Sequence, residues 1–304
     1  MYILGAGLAG CIAGALEKKA VIFEHSPEGR TAHRAVLRFR ESKIATALGI
    51  PFRKVMVRKG LVKDGRIFNV CNVQNANQYS LKVLGRVEDR SIWNLAPVER
   101  YIAPDDLHEQ LVAMCHGRIE FNTPVLSLSA SSLNGKRRSD IPVVSTIPIF
   151  ALANLLGESV DSPGYANIWV KRYAFADCDV HQTLYFPGAE TNVYRATLTG
   201  GILILEGVAR IIDKDIDYVT EAFGLSWRPR VYIECVRQEY GKINPLADDV
   251  RKNTLLLFTL KHNVYSLGRF ATWRNILLDD VYDDFHKIRG MISLGHYDLM
   301  RSIV

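Results

Sequence analysis

The chain opens on a compressed sequence of patterns. A short apolar run at 2–4 is followed at once by Gly5-Ala6-Gly7-Leu8-Ala9-Gly10. Residues 11–18 are small and mostly apolar and read as a helix, and 20–23 form a second β-type run that ends in Glu24. A strand, a glycine turn, a helix and a second strand make a βαβ unit. From 52 to 93 the pattern changes to short β-like runs and turns: 55–57, then Lys63-Asp64-Gly65-Arg66, then 67–70. Helical spacing returns at 104–114, where Leu107, Leu111 and Met114 share a face and Asp105 and Asp106 stand in the first turn. The runs 118–121, 124–128 and the β-branched 142–148 read as strands. Further on, 166–175, 182–186, 193–198 and 202–208 alternate like strands, with Pro187-Gly188 and Gly200-Gly201 as turns, which predicts an antiparallel sheet. A helical stretch at 219–223, another strand at 230–236 and a last helix opening near Asp279-Asp280 complete the reading.

The first 24 residues carry the most specific chemistry. G-x-G-x-x-G between a strand and a helix is the dinucleotide-binding fingerprint. Gly5 permits the tight turn, Gly7 lets a pyrophosphate approach the backbone, and Gly10 allows close helix–strand packing. Leu8 and Ala9 lie between them at the start of the helix. Glu24, at the end of the second strand, is placed to accept hydrogen bonds from both hydroxyls of a ribose and disfavours a 2′-phosphate. The stretch is apolar but has no charged leading segment and continues into the second strand, so a signal peptide is not expected.

In order along the chain, the βαβ unit ending in an acid is followed by the Gly/Arg loop Glu28-Gly29-Arg30-Thr31, an insertion, the run Pro124-Val125, the strand Val143 to Pro148 and the ending Gly268-Arg269-Phe270-Ala271-Thr272-Trp273 before Asp279-Asp280. This arrangement resembles the flavin amine oxidase superfamily, which includes monoamine oxidase, protoporphyrinogen oxidase, phytoene desaturase and UDP-galactopyranose mutase. The resemblance covers both ends and the 100–150 segment, about half the chain. It implies an α/β fold: a Rossmann-type FAD-binding domain with an inserted, mainly antiparallel β substrate domain. It implies a discontinuous FAD-binding domain (1–50, 98–155 and 256–304) and a substrate domain (51–97 and 156–255). It implies non-covalent FAD, held by Gly5, Gly7, Leu8, Ala9, Gly10, Glu24, His25, Gly29, Arg30, Val125, Gly268, Arg269 and Asp280. The family's double glycine in the second loop is reduced here to Gly29. For catalysis, His33 follows the Gly/Arg loop, and Tyr194-Arg195 is similar to a Tyr-Arg pair that some mutase-like proteins carry in a strand near the flavin.

The implied activity is that of an FAD-dependent oxidoreductase that oxidises a C–N bond of an amine by hydride transfer to the flavin. Alternatives are a non-redox flavin mutase acting on a nucleotide sugar, a flavoenzyme modifying an amine-bearing base in nucleic acid, and a flavoprotein that only mediates contacts. Charge keeps the alternatives open. Residues 1–60 hold eleven Lys and Arg against four acidic residues, whereas the rest of the chain is close to balance. Such asymmetry points to a phosphate-bearing or otherwise anionic partner, or to a solvated basic face. The expected partners are therefore a small substrate, anionic or nucleotide-linked, and in one reading nucleic acid, with no membrane. Five scattered cysteines without C-x-x-C argue against a disulfide framework and for a reducing compartment, hence a cytoplasmic protein. No zinc-type H-E-x-x-H, nucleophile elbow or P-loop occurs.

Overall fold

A computed structural model describes residues 1–29, 36–89, 91–138, 140–160, 164–176, 178–227, 230–295 and 297. Two sheets organise them. The smaller is parallel, with Val264–Ser266, Val143–Ser145, Tyr2–Leu4, Val21–Phe23 and Ile119–Glu120 side by side in that order. Its strands are short and buried on both faces, which is why they read as apolar runs rather than as alternations. Successive residues serve opposite layers. Ile3 packs with Leu8, Ile12, Leu107, Leu111 and Phe285 under the helices Leu8–Leu16, Leu107–Met114 and Leu278–Ser293. Leu4 packs with Val143, Leu152, Phe258 and Trp273 under the helices Ile149–Leu156 and Asp248–His262. Each such fully buried aliphatic side chain contributes about 1.5–3 kcal/mol. Helix–sheet–helix layering places the open end of the sheet at the carboxyl ends of its strands. Tyr2–Leu4 has Val21–Phe23 on one side and Val143–Ser145 on the other, so strand order reverses beside it. That is the switch point where such sheets leave a crevice.

The larger sheet is mixed and has nine strands. Its order is Val231–Ile243, Tyr165–Ala174, Ile202–Gly207, Val193–Thr199, His181–Tyr185, Arg53–Lys63, Val98–Ile102 and Arg38–Phe39, with Arg66–Phe68 forming a hairpin on Arg53–Lys63. The pairings are antiparallel except that His181–Tyr185 runs parallel to Arg53–Lys63. One face carries Leu184, Phe186, Leu198 and Leu205 under the helix Asp213–Ala222. The other carries Leu61, Val170 and Ile204 under the helix Val73–Leu84. The sheet curls strongly. Arg38 Nη1 donates to Thr183 Oγ1 at 2.9 Å, although two strands lie between theirs. In a flat sheet that gap would be roughly 14 Å.

The α/β class, the first two strands, the strand Val143–Ser145 and the last helix agree with the sequence reading. Three local expectations change. Residues 124–128 form no strand; apart from a single bridge from Leu128 to Leu133 they run as irregular chain, with Leu126 exposed. The strand Val98–Ile102, expected with the cofactor-binding part, pairs with Arg53–Lys63 in the larger sheet. The segment 52–93, read as short strands and turns, holds an 11-residue strand and the 12-residue helix Val73–Leu84. That helix is capped by Asn72, whose side chain accepts from the Asn75 N–H at 2.8 Å, and stops at Gly85 in the left-handed conformation. Among the described residues no helix is long and apolar enough to cross a membrane.

Candidate cofactor site

The fingerprint glycines have three different physical reasons. At Gly5, φ is +93°, and a Cβ would stand 2.7 Å from Thr146 Oγ1. That hydroxyl is fixed, because it donates to the Leu4 carbonyl at 2.7 Å. At Gly10, a Cβ would stand 1.9 Å from the Gly5 carbonyl oxygen, so the helix could not lie where it does. At Gly7, a Cβ would meet nothing within 4 Å. Gly7 therefore borders open space, in front of a helix whose N-cap has no side chain to satisfy its first N–H groups. The amides of Leu8, Ala9 and Gly10 face the crevice end of that helix, where a negative group is favoured.

Glu24 closes the unit. Its Oε2 accepts from the Ala6 N–H at 2.7 Å and its Oε1 from the Ser26 N–H at 2.8 Å. The His25 ring lies 2.9 Å from Oε1. Burial works to raise the carboxyl's pKa, but the Ala6 and Ser26 N–H groups and His25 outweigh it and hold the group below the ordinary carboxylate range. Each carboxylate oxygen keeps acceptor capacity for a further donor. A cavity of about 600 Å³ opens beside it, lined by Gly7, Glu24, His25 and Gly29 together with His108, Val112 and Phe121. This volume and its mixed lining suit a nucleoside.

The carboxy-terminal segment reaches the same place. Gly268 has φ +93°, and a Cβ there would be 3.0 Å from the Cβ of Ala9, so the chain lies directly against the fingerprint helix. Arg269 donates to the Gly241 carbonyl at 3.3 Å. Asp280 stands at the start of Leu278–Ser293, where its Oδ2 accepts from the Leu277 N–H at 2.8 Å and its Oδ1 pairs with Arg40 at 2.6 Å. Asp279 accepts from the backbone N–H groups of Arg40 at 3.1 Å and Glu41 at 3.2 Å. The acids that open the last helix thus fasten the chain just after Arg38–Phe39.

Gly5, Gly7, Leu8, Ala9, Gly10, Glu24, His25, Gly29 and Gly268 are therefore brought together. Arg30 and His33 lie outside the described residues. Val125 does not line the cavity; it packs on the cluster around Leu4 and Phe258, because 124–128 is no strand. Tyr194 and Arg195 lie on the larger sheet, turned to Glu206. Tyr194 Oη donates to Glu206 Oε1 at 3.1 Å, and Arg195 donates through Nη2 to Oε1 at 2.7 Å and through Nε to Oε2. Burial, then Glu206, pushes the Tyr194 phenol well above its ordinary value, so it stays protonated. His108 and Thr146 had no role in the sequence reading. Thr146 stood inside a strand pattern, and His108, whose ring nitrogen lies 2.8 Å from the Ala6 carbonyl, belongs to no spacing motif. Several residues of the basic stretch are paired locally: Arg53 with Asp179, Lys54 with Glu99, and Lys43 with Glu41 and Asp283.

No protein-family model and no curated protein sequence matches the chain. Solved structures do. The chain is similar to a reduced UDP-galactopyranose mutase, with a TM-score of 0.61 at 14% identity over 90% of each chain. It is similar to an oxidoreductase from Methanosarcina mazei, with a TM-score of 0.61 at 10% identity over 95% of this chain and 99% of the other. A geranylgeranyl bacteriochlorophyll reductase-like protein from Thermoplasma acidophilum follows at 0.53 and 13% identity, over 99% of this chain and 81% of the other. The α/β architecture read from the sequence is the one these proteins share. At such identities the likeness carries the fold; the chemistry rests on the site.

Proposed function

We propose that the chain is a flavoenzyme that holds FAD non-covalently in the crevice at Gly5–Gly10 and acts as an oxidoreductase on a small organic substrate over the larger sheet. One observation carries the reading. The open space at Gly7, the uncapped helix start and the Glu24 carboxylate meet at a cavity of nucleoside size. The amides of Leu8, Ala9 and Gly10 would hold the pyrophosphate, Glu24 the ribose, and the pocket between Gly29, His108, Val112 and Phe121 the base. Gly268 keeps the carboxy-terminal backbone close enough to line the same groove. Bound FAD would supply two-electron chemistry, and the protein would supply position, exclusion of water and electrostatic tuning.

Oxidation of a C–N bond is the reaction that the resemblance to flavin amine oxidases favours. It needs no strong acid or base, which suits a site where Tyr194 and Arg195 are engaged by Glu206. A nucleotide-sugar mutase reaction is the second reading, favoured by the fold likeness to the mutase over 90% of both chains.

The test begins with the purified protein. Acid precipitation is expected to release a yellow chromophore with the flavin spectrum. Glu24→Ala removes charge-assisted hydrogen bonds worth roughly 1.5–3 kcal/mol each, so FAD affinity is expected to fall about tenfold or more. A colourless protein that FAD does not reconstitute overturns the reading.

A further inference from the structure

Among the described residues, the concave face of the larger sheet carries more positive charge than its own acids answer. Lys59 and Arg195 project from this face, as their register with Thr183 and Tyr185 shows: Thr183 pairs with Lys59 and Tyr185 with Arg195. Arg100 pairs opposite Val55, four residues before Lys59 and therefore on the same side. Arg38 reaches across the curl to Thr183. Of the acids on this face among the described residues, Glu206 is already taken by Arg195 and Tyr194 and Glu234 by Arg172. Lys59 donates to the Asn94 carbonyl at 3.1 Å and Arg100 to the Glu99 carbonyl at 2.8 Å, neutral acceptors that leave the charge uncompensated.

Arg38 is the sharpest case. Beyond its bond to Thr183, its Nε and Nη2 are buried and have no partner among the described residues. Burial, then Arg195 and Arg100, pushes this guanidinium down to about 10, a measure of how poorly the charge is answered where it sits. A buried cation without a counter-ion costs several kcal/mol. A guanidinium with Nε and one terminal nitrogen left over presents a two-pronged edge that matches a planar carboxylate or one face of a phosphate.

We infer that Arg38, with Arg100 and Lys59 beside it and Thr183 fixing its orientation, forms a subsite for an oxyanion, a carboxylate or phosphate group carried by the substrate. The inference deepens the reading above, since it names the substrate class of that enzyme and rests on it for the word substrate. Arg38 and Thr183 stand on strands of the larger sheet, whereas the glycine loop belongs to the parallel sheet. The strand that carries Arg38 is nevertheless tied to the start of the last helix through Arg40 and Asp279, so the two parts of the molecule share one frame. A cationic amine alone is disfavoured on this floor; an amine substrate that also bears an acid group is compatible with it.

The experiment is a thermal-shift titration of the whole chain, FAD-loaded and FAD-stripped, with acetate and with inorganic phosphate at constant ionic strength against chloride. A ligand that binds only the folded state raises the melting temperature in a saturable way. One or both anions are expected to do so in both forms, and Arg38→Met is expected to weaken the response at least tenfold. Response to acetate alone assigns a carboxylate, and response to phosphate alone a phosphate. An equal response in Arg38→Met, or none beyond chloride from either anion, overturns the proposal. So does a phosphate response that FAD abolishes, because the anion would then occupy the cofactor's own place. Should Arg38→Met not fold, Thr183→Val tests the same point: a response weakened at least threefold supports the subsite, and an unchanged one overturns it. Loss of flavin binding with the anion response retained removes the enzyme reading and leaves the site. Flavin binding without an anion response does the opposite.

Discussion

Two carboxylates, the half-buried Glu24 at a strand end of the smaller sheet and the buried Glu206 in the larger, are held below their ordinary pKa by different means. Glu24 is held mainly by main-chain N–H groups, those of Ala6 and Ser26. Glu206 is held by the Arg195 guanidinium, with the Tyr194 hydroxyl added; burial works to raise it and Arg195 outweighs burial. Backbone donors come from fixed geometry and leave the acid's charge uncancelled. Glu24 therefore faces its cavity as an anion with acceptor capacity to offer a ligand. Arg195 cancels the charge of Glu206 and occupies both oxygens, so that pair is architecture. Glu24 is thus the ligand-facing acid and Glu206 the structural one, and on the larger sheet the guanidinium left without an acid among the described residues is that of Arg38 rather than Arg195.

The largest effect is expected from breaking the structural pair. Glu206→Ala would leave Arg195 and Tyr194 without their acceptor on a face already rich in cations. Removing one partner of a buried pair costs about 3–5 kcal/mol, to be read as a lower urea midpoint with an unchanged slope. The acid side has a definite sign. The folded-state pKa of Glu206 is depressed, so its contribution is complete above the unfolded value of about 4.3 and is lost as pH falls through the folded one. The wild-type and variant stability curves should converge there. A near-neutral substitution would mean that Arg195 is held by something other than Glu206 and is open to a substrate.

The glycine loop offers a cleaner dissection, because neighbouring glycines serve different purposes. Gly10→Ala drives a methyl into the Gly5 carbonyl at 1.9 Å, and overpacking of this kind costs about 1–3 kcal/mol or more. Gly7→Ala meets nothing within 4 Å at an ordinary φ of −69°. The unliganded protein should then change by less than about 0.5 kcal/mol. FAD affinity should nevertheless fall, since the methyl enters the place where the pyrophosphate meets the backbone. Calorimetric unfolding of the stripped protein, set beside flavin titration, separates the two. Equal losses of stability in both variants would remove the argument that Gly7 faces a ligand.

These contrasts explain why the two halves of the molecule were unequally legible. The parallel sheet announces itself because its turn is so tight that particular residue types are obligatory: Gly5 for its positive φ, Gly10 for its missing Cβ, Glu24 for its place at a strand end. Those requirements are local and leave a spacing in the chain. The concave face of the larger sheet has no such signature. Arg38, Lys59, Arg100 and Thr183 meet only because four strands curl, so their relation lies in register and twist. The same difference accounts for the misread elements. Val73–Leu84 has low mean hydropathy and buries Ala76, Tyr79, Ser80 and Val83 at i, i+3, i+4 and i+7, a helical spacing that small and polar residues among the buried ones conceal. Residues 124–128 look β-like, yet make only the single bridge from Leu128 to Leu133. Part of the surplus of positive charge in the first 60 residues is met in three dimensions by acids from distant segments, Glu99, Asp179 and Asp280 among them, whereas Arg38 and Lys59 meet no acid among the described residues.

Asp280 provides the smallest effect and the finest test of the comparison, because it was read from the sequence as a cofactor-facing acid and is found engaged as Glu206 is. One oxygen accepts the Leu277 N–H and the other pairs with Arg40. Asp280→Ala therefore removes a helix-end cap, worth typically about 1 kcal/mol, together with a partly exposed ion pair of small value. Burial works to raise this carboxyl, and the Leu277 N–H and Arg40 outweigh it, leaving its pKa below the ordinary aspartate value. The sign follows: its contribution is full above the unfolded pKa of about 3.9 and disappears as pH drops through the folded one. Wild type and variant should thus differ by about 1 kcal/mol at pH 7 and converge in acid, while FAD affinity moves by less than about threefold. A tenfold loss of FAD affinity with stability intact would mean the opposite, that Asp280 faces the cofactor as Glu24 does. The start of the last helix would then belong with the ligand-facing acids of the crevice.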